Sequence, residues 1–421
     1  MVGVATSSVA SALMTWGALV VAGRHLGPSE YTRFMVVWGA FFAATGVLAG
    51  LQQEVTRSVA TARETRDHGP TPLLGSLLLG GLGAVLLAGS ALLWGPRVLG
   101  GDWWRISLVL ATGFAAYALA NFVTGTLAGT GDWSAYSLSI VLEGVFRASV
   151  VVVVVLIGTS EVVWAMALTS GLLGWVVVLA VSRAARETVR QPAADGVRGF
   201  SRRAAQSVVA AGCSALAVAG FPVLMRATSP TRLTAEAGVV MAVVVCTRAP
   251  LLLLLSFQGP LIRRFVRERH LGPRHLRREA LWSLVAFALA AGLAYVAGPP
   301  LMRAVFGDGF DPSPWFVAVA VLGAGLMGGL TITGWLVLVR GRHGAFARGW
   351  LVTTCVTALA LMLPLDVEAR SAVALVAGPL AGGGSHLLTL WFVRPSDLSG
   401  VSRLPATSPS DPPRSDGRAG S

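Results

Sequence analysis

About a dozen apolar blocks, each near twenty residues long and divided by short arginine-bearing breaks, fill this 421-residue chain. A helix needs ~20 mostly apolar residues, at ~1.5 Å of rise each, to cross a bilayer. The blocks predict twelve such spans, at 2–22, 34–51, 73–93, 106–127, 136–157, 162–181, 204–224, 237–258, 281–297, 315–339, 345–363 and 372–392. The run from Val150 to Leu156 is rich in valine, as a buried strand would be, but it lies inside a span-length block and reads as helix. Only segments that satisfy their own backbone hydrogen bonds persist in hydrocarbon. The expected fold class is therefore all-α and polytopic, with little room for a soluble catalytic domain.

Composition supports this. Hydrophobic residues make up 54% of the chain and charged residues 13%, which excludes both a soluble globular domain and a disordered chain. The formal charge of +13 would point to nucleic acid in a soluble protein. Here its distribution gives another account. Every Lys or Arg position is Arg, and with the N-terminus inside, 23 of the 33 lie in or at the edges of the even breaks and in the tail, against 8 in the odd breaks. Cytoplasmic loops concentrate such residues. Both termini are thus expected on the cytoplasmic side of a bacterial-type plasma (inner) membrane. The charge then faces anionic membrane lipids, with no nucleic acid required. Cys213, Cys246 and Cys355 are far apart inside spans and form no metal or disulfide pattern, so neither a metal nor a cofactor is expected. The first block starts beside Met1 without a basic leader region and reads as a retained span.

The break at 182–203 divides the spans six and six. Residues 1–181 form one expected bundle, 204–393 the other, and 394–421, rich in Pro, Ser, Asp and Arg, an expected disordered cytoplasmic tail. The halves echo each other at an offset of 206 residues: Glu30 matches Glu236, Gln52 matches Gln258, and Arg57 and Arg63 match Arg263 and Arg269. Gly95-Pro96 and Gly298-Pro299 follow with a three-residue gap. Six spans return a chain to its starting side. Two such halves are related by a pseudo-two-fold axis along the membrane normal and enclose a cavity between them.

Polar residues inside the spans mark candidate sites. Arg147 lies near the midplane of the fifth span, where an arginine costs at least ~2.5–3.5 kcal/mol. Glu143 stands one turn earlier, in the favourable order for a pair. The two are read either as a self-neutralised pair or as a cavity-facing cation awaiting an anionic group. Arg248 sits equally deep in the eighth span, near Pro250 and with no acid close in sequence, which favours function. Asn121 in the fourth span suits an interhelical hydrogen bond or a sugar contact. Gln52, Gln53, Glu54 and Arg57, echoed by Gln258, are read either as a solvated helix end or as a portal for cargo. His386 is expected to be a satisfied packing residue rather than a proton relay.

The segment Gly23-Arg24-His25-Leu26-Gly27-Pro28-Ser29-Glu30-Tyr31 resembles a signature of the polysaccharide flippases, a branch of the multidrug/oligosaccharidyl-lipid/polysaccharide exporter superfamily. Thr32 stands where that signature usually has Gly. Weaker matches are Leu127 to Gly131, Glu143-Gly144 with Arg147, and Phe306 to Phe310, and together they span residues 1–393. The resemblance implies two bundles opening alternately to each side. It implies a cargo of polyprenyl-pyrophosphate-linked oligosaccharide moved from the inner to the outer leaflet, and work alongside a polysaccharide polymerase or glycosyltransferases. Guanidinium groups bind pyrophosphate oxygens bidentately. On that basis Arg147 and Arg248 are the cavity candidates with Glu143 and Asn121, and Arg24, Gln52, Gln53, Arg57 and Gln258 the portal candidates. A cation-coupled exporter of the same superfamily usually carries an acid in an early span, and residues 2–22 hold none. A non-transporting subunit of a glycan assembly complex is the remaining alternative. An enzyme would need catalytic groups on an exposed loop, whereas the outer breaks are short and the first holds a single acid, Glu30.

Overall fold

In a computed structural model, residues 2–66, 69–194, 196–229, 234–256, 273–340 and 342–391 are described, and no strand occurs among them. The first helix, α1, runs from Val2 to Gly46 and continues after a two-residue turn into α2, Ala49–Thr65. Together the two are far too long for one crossing. They are divided at Gly27, whose φ of 68° and ψ of 171° are not helical. Pro28 explains the break, because it lacks a backbone donor and pushes the preceding residue out of the helical region. That φ/ψ region is accessible essentially to glycine alone, at ~1–3 kcal/mol for other residues. Gly27→Ala is expected to lower the Tm of the purified protein accordingly. Gly17→Ala, at a helical position with open space around it, should leave the Tm unchanged or slightly higher.

Four helices complete the first half: α3 (Leu73–Leu99), α4 (Trp103–Thr130), α5 (Trp133–Ile157) and the broken pair α6 (Glu161–Thr169) and α7 (Gly171–Val181). The short α8, Arg183–Glu187, lies in the connection to the second half. There α9 (Val197–Ala219) bends by 75° into α10 (Phe221–Thr228). The rest are α11 (Ala235–Ser256), α12 (Pro273–Phe306), α13 (Pro314–Val339), α14 (His343–Leu361) and α15 (Val367–Trp391). With the two limbs of the α1–α2 rod counted separately and each broken pair as one span, the long helices among the described residues correspond to the twelve predicted blocks.

The boundaries differ most at the second span. It was expected to end at Leu51 but continues helically to Thr65, carrying Gln52, Gln53, Glu54 and Arg57 within a helix. Gln258, Arg263, Arg269 and the 394–421 tail lie outside the described residues.

Helices of the first half pack chiefly on one another, as do those of the second, and the halves meet where α1 and α2 lie against α9 and α11. At the end of the seam nearest the 182–203 connection, Glu54 is buried and accepts from Arg57 at 2.6 and 2.9 Å and from Arg203 of α9 at 3.1 Å. The backbone N–H of Ala194 donates to the Ser58 carbonyl beside them. This replaces the solvated helix end allowed by the sequence with an ion pair between the halves. At the opposite end, Tyr31 is fully buried against Phe306 and Phe310, with ring centroids 6.0 and 5.5 Å away. Arg24 donates to the carbonyls of Val305, at 2.7 Å, and Ala304. Those carbonyls lie in the last turn of α12, where a cation meets both the orphan acceptors and the negative end of the helix dipole. Both ends of the seam are thus held closed by contacts between the halves.

Candidate functional site

A cavity of about 230 Å³ lies in the first half, between the α1–α2 rod, α4, α5 and α7. Four of the predicted site residues line it together: Gln52, Asn121, Glu143 and Arg147. Tyr136 and Trp175 line it as well, and sequence reading missed both because an aromatic residue inside an apolar block looks like core. A larger open groove of about 620 Å³ between Arg63, Trp133 and Gln191 holds none of the predicted residues.

Arg147 is only 7% exposed and its fork is largely occupied. It is ion-paired to Glu143, donates to the Tyr117 hydroxyl at 2.7 Å and reaches the Leu168 carbonyl at 3.3 Å. Its guanidinium also lies 5.2–5.7 Å from the ring centroids of Phe42, Phe41 and Tyr117. The break between α6 and α7 explains the carbonyl. At Ser170 the helix is interrupted, and Ser170 Oγ donates to the Phe146 carbonyl of α5 as well as to Ala167. Irregular backbone at membrane depth persists where protein groups satisfy it, and Arg147 is such a group. Gly171 follows directly, and a methyl group there would sit 2.5 Å from the Tyr117 hydroxyl and 3.0 Å from the Arg147 guanidinium. The pairing inferred from the i,i+4 spacing is present, so Arg147 faces an acid rather than waiting for an anion.

The other cavity groups keep unused capacity. The Gln52 amide donates to the Tyr136 hydroxyl at 3.2 Å, and the Asn121 amide donates to the Tyr117 carbonyl at 2.8 Å, which leaves both amide oxygens for other donors. Glu143 meets Arg147 through one carboxylate oxygen and its side chain is 26% exposed. The buried indole N–H of Trp175 has no acceptor among the described residues.

Arg248 lies elsewhere, in α11 against the bend between α9 and α10. It donates to the Val218 carbonyl, and its guanidinium lies 5.5 Å from the centroid of Phe221. Pro222 accounts for that acceptor, since a proline cannot supply the i+4 N–H that Val218 would otherwise receive. No acidic residue pairs with Arg248 among the described residues, and it is half-buried. The bend packs on α1 at Gly39, one helical turn before cavity-lining Phe42. Of the portal candidates, Arg24 and Arg57 are committed to the seam contacts already described, and Gln53 lies next to Gln52 on α2. His386 is fully buried in the second half, within 3.2 Å of the Thr333 hydroxyl and 3.3 Å of the Phe346 carbonyl.

The fold is that of the MOP-superfamily transporters: all-α, with two six-helix bundles related by a pseudo-two-fold axis along the membrane normal. The structure is similar to the lipid II flippase MurJ in an inward closed conformation, with a TM-score of 0.68 and 10% identity over 95% of this chain and 89% of that one. It is similar to an inward-facing multidrug resistance MATE family transporter, with a TM-score of 0.66 and 15% identity over 94% and 99%. A MOP superfamily transporter from Pyrococcus furiosus gives a TM-score of 0.56 at 15% identity over 93% and 94%. No family model matches the sequence. Full-length relatives do: uncharacterized protein Rv3630 of Mycobacterium tuberculosis is 37% identical over 397 residues, 92% of this chain and 91% of that protein. Uncharacterized protein Rv1510 of the same organism is 36% identical over 402 residues, 92% and 90%. The chain belongs to the family of these mycobacterial proteins.

Proposed function

We propose that this protein flips a polyprenyl-pyrophosphate-linked oligosaccharide from the inner to the outer leaflet of the plasma membrane. The reading places both termini on the cytoplasmic side, with lobes at 1–181 and 204–393 moving against each other about the seam. The observation that carries it is Arg248. Its guanidinium stands deep in a membrane-spanning helix of a transporter fold, has no acidic partner among the described residues, and spends one donor on a main-chain carbonyl. Such a group is suited to a pyrophosphate, whose oxygens accept in the geometry that a guanidinium fork presents. The likeness to a lipid II flippase supports a lipid-borne cargo.

The partly exposed Glu143 carboxylate in the cavity favours a second reading, a cation-coupled small-molecule exporter like the MATE transporters. Two observations weigh against it. Arg147 already neutralises that carboxylate, and about 230 Å³ is less than the ~300–1,000 Å³ of sites that enclose drug-sized ligands. Deleting the gene is the direct test. Lipid-linked oligosaccharide should then accumulate on the cytoplasmic face, as read by sidedness probes on inverted and right-side-out vesicles. A normal distribution of that lipid between the leaflets would refute the flippase reading.

A further inference from the structure

We propose that the cavity lined by Gln52, Asn121, Tyr136, Glu143, Arg147 and Trp175 is a sugar subsite, holding one pyranose ring of the cargo while Arg248 takes the phosphate end. This rests on the flippase reading and assigns its two lobes different parts of the same cargo.

Size is the first argument. About 230 Å³ is the room of roughly seven or eight water molecules at ~30 Å³ each, which admits a single ring and not a disaccharide. Chemistry is the second. A sugar ring carries hydroxyls that both donate and accept, set between apolar C–H faces. The cavity offers the Asn121 and Gln52 amide oxygens and the second carboxylate oxygen of Glu143 as acceptors, and the Tyr136 hydroxyl, which accepts from Gln52, as a donor. The rings of Phe42, Tyr117, Tyr136 and Trp175 supply flat apolar walls.

Charge is the third argument, and it separates this ligand from the alternatives. With Arg147 closed by Glu143, the cavity as a whole is near neutral. A pyrophosphate entering it would meet the Glu143 carboxylate, and an organic cation would meet the Arg147 guanidinium. A neutral, hydroxyl-rich group meets neither penalty. Position is the fourth. Gly46 lines the cavity and also faces Ala215 of α9, where a methyl group on it would come within 2.8 Å. The subsite therefore abuts the seam between the halves, and the α9–α10 bend that holds Arg248 abuts the same helix at Gly39.

The test uses the full-length protein in proteoliposomes with two probes: undecaprenyl pyrophosphate bearing one hexose, and the same lipid without sugar. The wild-type protein should move the hexose-bearing carrier at least about tenfold faster, the worth of one or two hydrogen bonds. Tyr136→Phe, which keeps the ring and removes the hydroxyl, and Asn121→Leu should each bring the two rates close to parity. Arg248→Gln should slow both carriers alike. Tyr136→Phe is the smaller change and keeps the test valid should Asn121→Leu not fold. Equal movement of both carriers by the wild-type protein, or a preference that survives both cavity substitutions, overturns the sugar subsite and leaves the flippase reading standing. Movement of neither carrier overturns both.

Discussion

Arg147→Ala should unfold or severely destabilise the protein rather than silently remove a ligand contact. The side chain is 7% exposed, and its loss would leave Glu143 without a counter-ion and the Leu168 carbonyl and Tyr117 hydroxyl without their donor. Breaking a buried pair from one side costs ~3–5 kcal/mol. The expected readouts are a sharp fall in the yield of purified protein and a lowered Tm in detergent. Replacing both partners together, as Arg147→Met with Glu143→Leu, should recover much of that stability, because no uncompensated charge remains. Recovery of stability without recovery of transport would assign the pair to the fold and the cavity wall at once. An Arg147→Ala protein as stable as wild type would contradict the contact geometry.

Arg248→Gln should do the opposite. The substitution keeps an amide able to reach the Val218 carbonyl, so the bend between α9 and α10 should persist and the Tm should change little. Flipping of a pyrophosphate-linked carrier should fall by about tenfold to a hundredfold, the worth of one charge-assisted hydrogen bond of ~1.5–3 kcal/mol. The measurement is the initial flipping rate in proteoliposomes, normalised to folded protein. Arg248→Lys is informative beside it, since a lysine restores the charge and not the planar fork. Full activity in Arg248→Gln would move the phosphate contact elsewhere in the molecule.

Much of the architecture was legible because the bilayer narrows the options so severely. Block length gave the spans, and the long break at 182–203 gave the division into halves. The i,i+4 spacing of Glu143 and Arg147 gave their pairing. Asn121, marked as a polar residue inside a span, and Gln52, marked as a portal candidate, line one cavity with them. What stayed hidden depended on main-chain geometry and on partners distant in sequence. The α6–α7 break contains no proline, only Thr169-Ser170-Gly171, so nothing marked Leu168 as a free acceptor. Tyr117 and Trp175 look like core residues until α4 and α7 are set side by side. Glu54 looked solvated because the apolar block ends near Leu51, yet the helix runs on and α9 covers it. Arg24 looked like a portal residue because nothing local told that the end of α12, some 280 positions away, would fold against it.

Pro222 and Arg248 form a small device with a thermodynamic implication. The proline strips one carbonyl of its helical donor, and the arginine lends that donor from a neighbouring helix. An anion that engages the remaining donors of the guanidinium therefore pulls on the bond that holds the bend. Occupancy at the arginine and the shape of the bent helix are linked quantities, each shifting the other by the same free energy.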